Sequence, residues 1–439
     1  MKKILAIHKY DRDIFRLAVP NIISNISTPL LSSVDVLLMG NLSAKHLGAV
    51  GIGSMIFKVI YWNFGFLRMG TTGMTAQAYG AQNTKEISKL FVQAVFIALF
   101  IAIALLLLAQ PILSSFNWMM NVLDDQEAMV ASYFNIRLIA APASLMIYVL
   151  SGWLFGMQNA WYPLIATVVV NVINILVSYL LVVKQGLGVE GVAWGTVAAQ
   201  YVGMLILLAL IIYKYRDQLS FKNLSKKLRL EDMKYFLNIN FDIFIRTVCL
   251  TFALGFFYSK SSEMGALTLA ANLILFQFIN WMSYGIDGFA FAAESLTGKF
   301  KGAKNQHIFS LINRLLFWGL MLALLYSLIF LVFGKELCAI FSHEETVVNH
   351  TYKYLFWTYL IPIFAFLSYM YDGIFIGLTA SKAMKYSMFY SLIIYLSVYY
   401  FTDWYNPNNH MLWLSLLIFL LARGLIQMWQ LNKDKLELS

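Results

Sequence analysis

Cysteine is nearly absent from this 439-residue chain: Cys249 and Cys338 are the only two, and both lie in or beside apolar stretches. That argues against a disulfide framework or a thiolate metal site. Charge is scarce too, at 12% of residues, where soluble domains carry about 25%. Histidine never enters a long apolar block. His8, His46, His307, His343, His350 and His410 fall in loops or at block ends, which leaves nothing for an intramembrane metal centre. No Gly-rich phosphate loop ending in Gly-Lys-Ser/Thr occurs, so nucleotide hydrolysis has no seat. No cleavable leader is expected either, because the first apolar block, after Arg16, is far longer than a leader's apolar core.

What remains is hydrophobic. Such residues make up 60% of the chain, and the mean hydropathy is +0.70. They run in long blocks rather than amphipathic stripes, which excludes a soluble enzyme and a disordered scaffold. Burying this surface requires a bilayer. At 1.5 Å rise per residue a span needs about 20 apolar residues. Such segments lie near 16–39, 47–79, 90–112, 130–157, 162–183 and 190–213, then 235–259, 264–297, 308–333, 351–378, 384–402 and 410–431. The expectation is an all-α integral membrane protein with twelve transmembrane helices.

Lysine and arginine set the orientation. Twenty lie at the N-terminus, in alternate loops and in the C-terminal tail, against four in the opposite loops. Both termini are therefore expected in the cytoplasm, and the protein in the cell (inner) membrane. The formal charge of +10 then reflects topology, and no nucleic-acid partner is expected. The stretch 214–234 divides six segments from six, giving an N-lobe (1–213), a basic cytoplasmic linker (214–234) and a C-lobe (235–439). The lobes repeat. Gly80-Ala81-Gln82-Asn83 returns 222 positions later as Gly302-Ala303-Lys304-Asn305. Pro142 and the run Ser151–Gly156 return as Pro362 and Asp372–Gly377, at offsets of 220 and 221. An even number of spans per repeat requires a pseudo-two-fold axis along the membrane normal, as in transporters whose halves rock about a central site.

Ionisable residues inside spans cost about 2.5–3.5 kcal/mol each on insertion scales and so call for a reason. Asp35, Asp242, Asp287, Glu294 and Asp372 are the acids of interest; Lys58, Arg68, Arg137 and Arg246 are the bases. Asp242 and Arg246, four apart, are expected to pair along one helix. Asp35 has only Ser24, Asn25, Ser27, Ser32 and Ser33 around it in sequence. A lone carboxylate among small polar groups is either wetted or carries a proton. Pro20 in the same segment permits a bend and is the expected hinge.

Ala18-Val19-Pro20-Asn21, Ser33-Val34-Asp35, Met39-Gly40 and Leu47–Val50 together resemble the first spans of the multidrug and toxic compound extrusion (MATE) family. Gly65–Gly73, Asp287–Glu294 and Asp372–Gly377 resemble its DinF-like branch. The resemblance covers nearly the whole chain. It implies two six-helix lobes around a central cavity and cation-coupled export of organic compounds. It also implies a cation-coupling site of Asp35, Asn174, Ser178 and Thr196, with a C-lobe polar cluster of Asp242, Arg246, Asp287, Glu294 and Asp372. Ser178 stands where the family usually has an aspartate, and this favours H+ over Na+ as coupling ion. No cofactor or metal is expected. The partners are the lipid bilayer and small amphipathic substrates, cationic ones included, and the expected working unit is the monomer.

The function expected is therefore a secondary antiporter working by alternating access, not an enzyme. A flippase for lipid-linked precursors is the alternative. Its cavity would be strongly cationic, whereas the acids named above outnumber the bases. A lipid-modifying membrane enzyme lacks the histidines and motifs. The charge asymmetry has a direct test. Single-cysteine probes at position 8 or within 217–230 should react with impermeant thiol reagents only from the cytoplasmic side, and probes near Asp125 and Glu345 only from outside.

Overall fold

A computed structural model describes residues 9–40, 43–120, 122–220, 227–342, 344–405 and 408–433, with the side chains of 28–40, 44, 124–125 and 230 outside that description. Helix dominates, and no strand occurs among the described residues. The first half comprises α1 (Asp11–Gly40), α2 (Ala44–Phe64), α3 (Phe66–Gly80), α4 (Thr84–Leu107), α5 (Ala109–Met120), α6 (Asp124–Leu138), α7 (Ala141–Gly156), α8 (Trp161–Tyr179) and α9 (Gly188–Tyr215). The second comprises α10 (Leu230–Glu263), α11 (Ala266–Gly302), α12 (Ile308–Phe341), α13 (Glu345–Tyr352), α14 (Phe356–Gly377), α15 (Ser381–Tyr405) and α16 (Asn409–Lys433).

Each of the twelve expected segments falls on one helix or on a pair joined at a short break. Among the described residues nine helices are long and apolar enough to cross a membrane, with Lys45–Gly80 taken as one, and the pair α6–α7 makes a tenth, bent by 47°. The bend falls just before Pro142, at the start of α7, where proline's missing N–H and fixed φ favour a new helix start. Side chains fix other starts. Ser43 Oγ accepts the His46 amide at 3.3 Å, and Asn83 Oδ1 that of Glu86 at 3.0 Å, the usual N-cap arrangement.

The repeat is built into the backbone. Among the described residues four non-glycine residues have positive φ, and they form two equivalent pairs: Gln82 with Lys304, and Gln158 with Thr379. Each ends a helix in the same way. The amides of Asn83 and Asn305 return to Ala78 and Phe300, and those of Asn159 and Ala380 to Leu154 and Phe375, a left-handed C-cap that satisfies otherwise orphaned carbonyls. Two helix crossings are duplicated as well. Gly152 of α7 lies on the Arg68 carbonyl of α3, and Gly373 of α14 on the Ala290 carbonyl of α11. One turn on, Gly156 meets Thr75 and Gly377 meets Thr297. Only the absence of Cβ lets these backbones approach so closely, the small-residue packing favoured between membrane helices.

Packing divides the chain into two compact units. One takes the N-terminal segment to Ile22 together with Ile239–Ser439; the other is Ile23–Asn238. The division thus falls inside α1, two residues past Pro20. Within the first unit, Asp11 receives Arg314 Nε at 2.6 Å, Arg314 Nη2 at 2.7 Å and Trp318 Nε1 at 2.9 Å. Phe15 packs edge-on against Phe289 and Trp318, and Gly288 fits against Ala18 and Ile22. In the second unit the connecting stretch is tied to α4. Ser88 Oγ donates to the Ser220 carbonyl at 2.9 Å, and Gln93 Nε2 to the Lys227 carbonyl at 2.9 Å. Lys227 Nζ donates to Ser88 Oγ, and burial pushes this ammonium below its ordinary pKa.

The duplicated crossings predict matched sensitivity. Gly152→Ala and Gly373→Ala each place a methyl group on a carbonyl and should each cost about 1–3 kcal/mol, as overpacking does. Gly255→Ala, where nothing lies within 4 Å, should be neutral. Thermal unfolding of the detergent-solubilised protein reads the difference.

Candidate functional site

In the Ile23–Asn238 unit, α8 presents polar residues at 167, 171, 174 and 178, a spacing that keeps them on one face. Ser24 Oγ donates to Thr167 Oγ1 at 3.0 Å, and Asn171 Nδ2 to the Ser27 carbonyl at 3.3 Å. Chain numbers rise together across these contacts, so α1 and α8 run parallel. Deeper in α8, Asn174 Nδ2 donates to Thr196 Oγ1 of α9 at 2.9 Å, and Thr196 Oγ1 donates to the Val192 carbonyl at 3.2 Å. Ser178 is pressed by Gly195, and a π-helical turn (Leu180–Lys184) follows it. Such turns recur at functional sites. Ser178 and Asn174 are 0% and 1% exposed, yet Ser178 Oγ and Asn174 Oδ1 have no hydrogen-bond partner among the described residues. Buried acceptors of this kind require an explanation. Asn174, Ser178 and Thr196 are thus brought together; the side chain of Asp35 lies outside the described residues.

The C-lobe residues are arranged differently from expectation. Asp242 and Arg246 do not pair with each other. Asp242 accepts Lys385 Nζ at 2.5 Å and Ser381 Oγ at 2.9 Å, both from the start of α15. Arg246 donates instead to Asp372 Oδ2 of α14. Each group finds an opposite charge on another helix, and that tertiary partner displaces the local i,i+4 one, whose worth is only about 0.2–0.5 kcal/mol. Asp372 is not a solitary acid either. Gln427 Nε2 donates to its Oδ1 at 2.8 Å, and Arg423 Nη2 lies 3.7 Å from its Oδ2 while donating to Ser368 Oγ at 2.8 Å.

Asp287 and Glu294 sit two turns apart on α11. Asp287 is half-buried and acts electrostatically on Arg423 and Tyr369; Glu294 is buried. The expected cluster is thus two sets, Asp242 with Lys385 and Asp372 with two arginines, beside the acids of α11. Pro20 is buried within a continuous α1.

Sequence reasoning missed Arg423, Arg314, Lys385 and Asp11. Arg423 is 2% exposed, and it is the single base between His410 and Lys433. That isolation in an apolar run was the available signal. With these bases inside the helices, acids do not outnumber bases, and the charge count used against a flippase fails. Asp372 is now the residue to test. Asp372→Asn leaves two buried guanidiniums short of a counter-ion and should destabilise the protein by about 3–5 kcal/mol. Asp242→Asn, at a half-exposed lysine, should cost far less. Chemical unfolding in detergent ranks the two.

The MatE family model matches residues 20–180 and 243–401, one stretch in each half of the chain. Among relatives, "DNA damage-inducible protein F" of Escherichia coli (strain K12) is 33% identical over 94% of this chain and 90% of its own. "Probable multidrug resistance protein NorM" of Thermotoga maritima is 24% identical over 77% of this chain and 74% of its own. Among solved structures, "Outward-facing conformation of a multidrug resistance MATE family transporter of the MOP superfamily" matches with a TM-score of 0.88 at 18% identity, over 97% of this chain and 96% of that one. "Crystal structure of MATE in the bent conformation" matches with a TM-score of 0.89 at 18% identity, over 98% and 96%. At that identity the likeness carries the fold, the twelve-helix, two-lobe MATE arrangement.

Proposed function

This chain belongs to the MATE family, a family of multi-pass membrane transporters rather than enzymes, and from that premise we propose that it is a proton-coupled antiporter exporting amphipathic organic compounds by alternating access. Relatives named as multidrug resistance proteins support the substrate class. The observation that carries the coupling site is the pair of buried acceptors, Ser178 Oγ and Asn174 Oδ1, which have no donor among the described residues. A protonated carboxylic acid is a donor that would satisfy one of them. The parallel register set by Ser24 with Thr167 and Ser27 with Asn171, carried along both helices, brings position 35 level with Ser178. Asp35 is then the proton carrier, and Asn174, Ser178 and Thr196 are its polar surround.

A reference carboxyl pKa near 3.9 is too low for this task at neutral pH. The proposal therefore requires surroundings at position 35 that favour the protonated acid, as neutral groups away from water do. Sodium would prefer a second carboxylate, and Ser178 does not supply one. Protonation removes a charge from α1, and Pro20, two residues from the boundary between packing units, is where this helix can repack. Cytoplasmic termini and an inner-membrane location follow from the charge asymmetry of the loops. The flippase alternative needs exposed paired cations for a diphosphate. In the C-lobe, Arg246 and Arg423 are buried and tied to Asp372, so neither is available to a diphosphate.

Reconstituted into liposomes, the protein should move an amphipathic fluorescent substrate under an imposed pH gradient and not under a sodium gradient alone. Asp35→Asn should keep the fold and substrate binding yet lower pH-driven transport at least about tenfold, close to the 1.4 kcal/mol scale of one such interaction. Wild-type transport by this variant would move coupling to Asp287 or Glu294.

A further inference from the structure

Lys58 is the one exposed base in the interior of the Lys45–Gly80 span. It lies fourteen residues into α2, about 20 Å from that helix's start and about 33 Å from the end of α3. Among the described residues it has no hydrogen bond or ion pair. The buried face of α2 carries Val50, Gly53, Phe57 and Ile60; Gly51, Met55, Lys58 and Trp62 form the opposite stripe. Met55 and Trp62 are 54% and 53% exposed, and a Cβ at Gly51 would meet nothing within 4 Å.

The buried side of the same turns is closed off by a different cation, held by its own partners. Ser54, one turn before Lys58, shares a 2.9 Å hydrogen bond with the Tyr133 hydroxyl, to which Arg137 Nη1 also donates. The Arg137 guanidinium lies 5.2 Å from the centre of the Phe57 ring. Phe57 in turn stacks on Tyr61 and Phe134. Arg137 is half-buried and sits just before the 47° bend between α6 and α7. The acids on α2's neighbours α6 and α9 stand at helix starts: Asp124, Asp125, Glu127 and Glu190. An ammonium deep in a span, with no partner among the described residues, is costly against lipid and is accommodated best on a water-filled path. A cation set among Met and aromatic side chains complements a molecule with an acidic group on an apolar body.

We propose that the α2 face bearing Lys58 is the substrate-contacting wall, and that the compounds carried are small acidic amphiphiles rather than cations. This rests on the exporter reading and assigns its substrate class. Lys58 supplies the charge that meets the acid group; Met55, Trp62 and Gly51 supply an adaptable apolar surface.

The test uses the full-length protein in phosphatidylcholine liposomes with two probes of the same body: a dansyl-labelled alkyl carboxylate and its trimethylammonium counterpart. The carboxylate should bind and the cation should not. Lys58→Gln should weaken carboxylate binding about tenfold, Lys58→Arg should retain it, and Lys58→Glu should reverse the preference between probes. Size-exclusion profiles confirm folding, and Lys58→Gln keeps the test decisive if the Glu variant misfolds. Equal binding of both probes, or a preference unchanged in Lys58→Gln, overturns the proposal. So does loss of carboxylate binding when phosphatidylglycerol is added, since a lipid headgroup would then be the occupant. Gradient-driven uptake is scored separately. Selective binding without any gradient-driven movement would sink the exporter reading alone, and gradient-driven movement with no dependence on Lys58 would sink this one alone.

Discussion

A polar group in hydrocarbon has no water to fall back on, and this constraint organises the chain from backbone to charge. Backbone amides and carbonyls are satisfied within helices, and helix ends by caps such as those at Gln82, Gln158, Lys304 and Thr379. Charged side chains obey the same rule. Asp11 is met by three donors, Asp372 by two arginines and a glutamine, and Asp242 by a lysine and a serine. The groups that break the rule thereby stand out. Ser178 Oγ and Asn174 Oδ1 are two such atoms, next to each other on one face of α8.

The two units spend their polar residues in different ways. In the unit completed by Ile239–Ser439, ionic contacts run between helices far apart in sequence and tie them together. In the Ile23–Asn238 unit the residues that meet between α8 and α9, Asn174, Ser178 and Thr196, are neutral, and the hydrogen bonding of Asn174 Oδ1 and Ser178 Oγ is incomplete among the described residues. Paired charges tie helices of the one unit together, while a cluster of neutral acceptors in the other can respond to a proton. Duplicated architecture has been kept, as the matched crossings at Gly152 and Gly373 show, while the chemistry has diverged between the copies.

Helix positions and the repeat were legible in the sequence because both are written locally: in blocks of apolar residues, and in short runs recurring at nearly constant offset. The broken spans were legible only in part. Pro142 marked one break, but the bend angle depends on packing against α3 and α4. Ion pairing was not legible. Arg246 finds Asp372 126 positions away and Arg314 finds Asp11 303 away, and helix periodicity says nothing about such partners. Reading Asp242 with Arg246 followed the local rule where a tertiary one decided. The polar set of Asn174, Ser178 and Thr196 came from family resemblance, and the structure places these residues together; no spacing rule links α8 to α9.

The anchoring of the first turns of α1 has a further meaning. Residues up to Ile22 complete the packing of a unit otherwise made from the second half of the chain, against Gly288, Phe289, Arg314 and Trp318. The halves are therefore not modular in the way their repeat suggests. A second half synthesised alone would expose an arginine and a tryptophan shaped for a helix it does not encode. The first half alone would begin with a helix turn whose apolar face has no home. The repeat boundary and the packing boundary therefore do not coincide, and the first helix belongs in part to each unit.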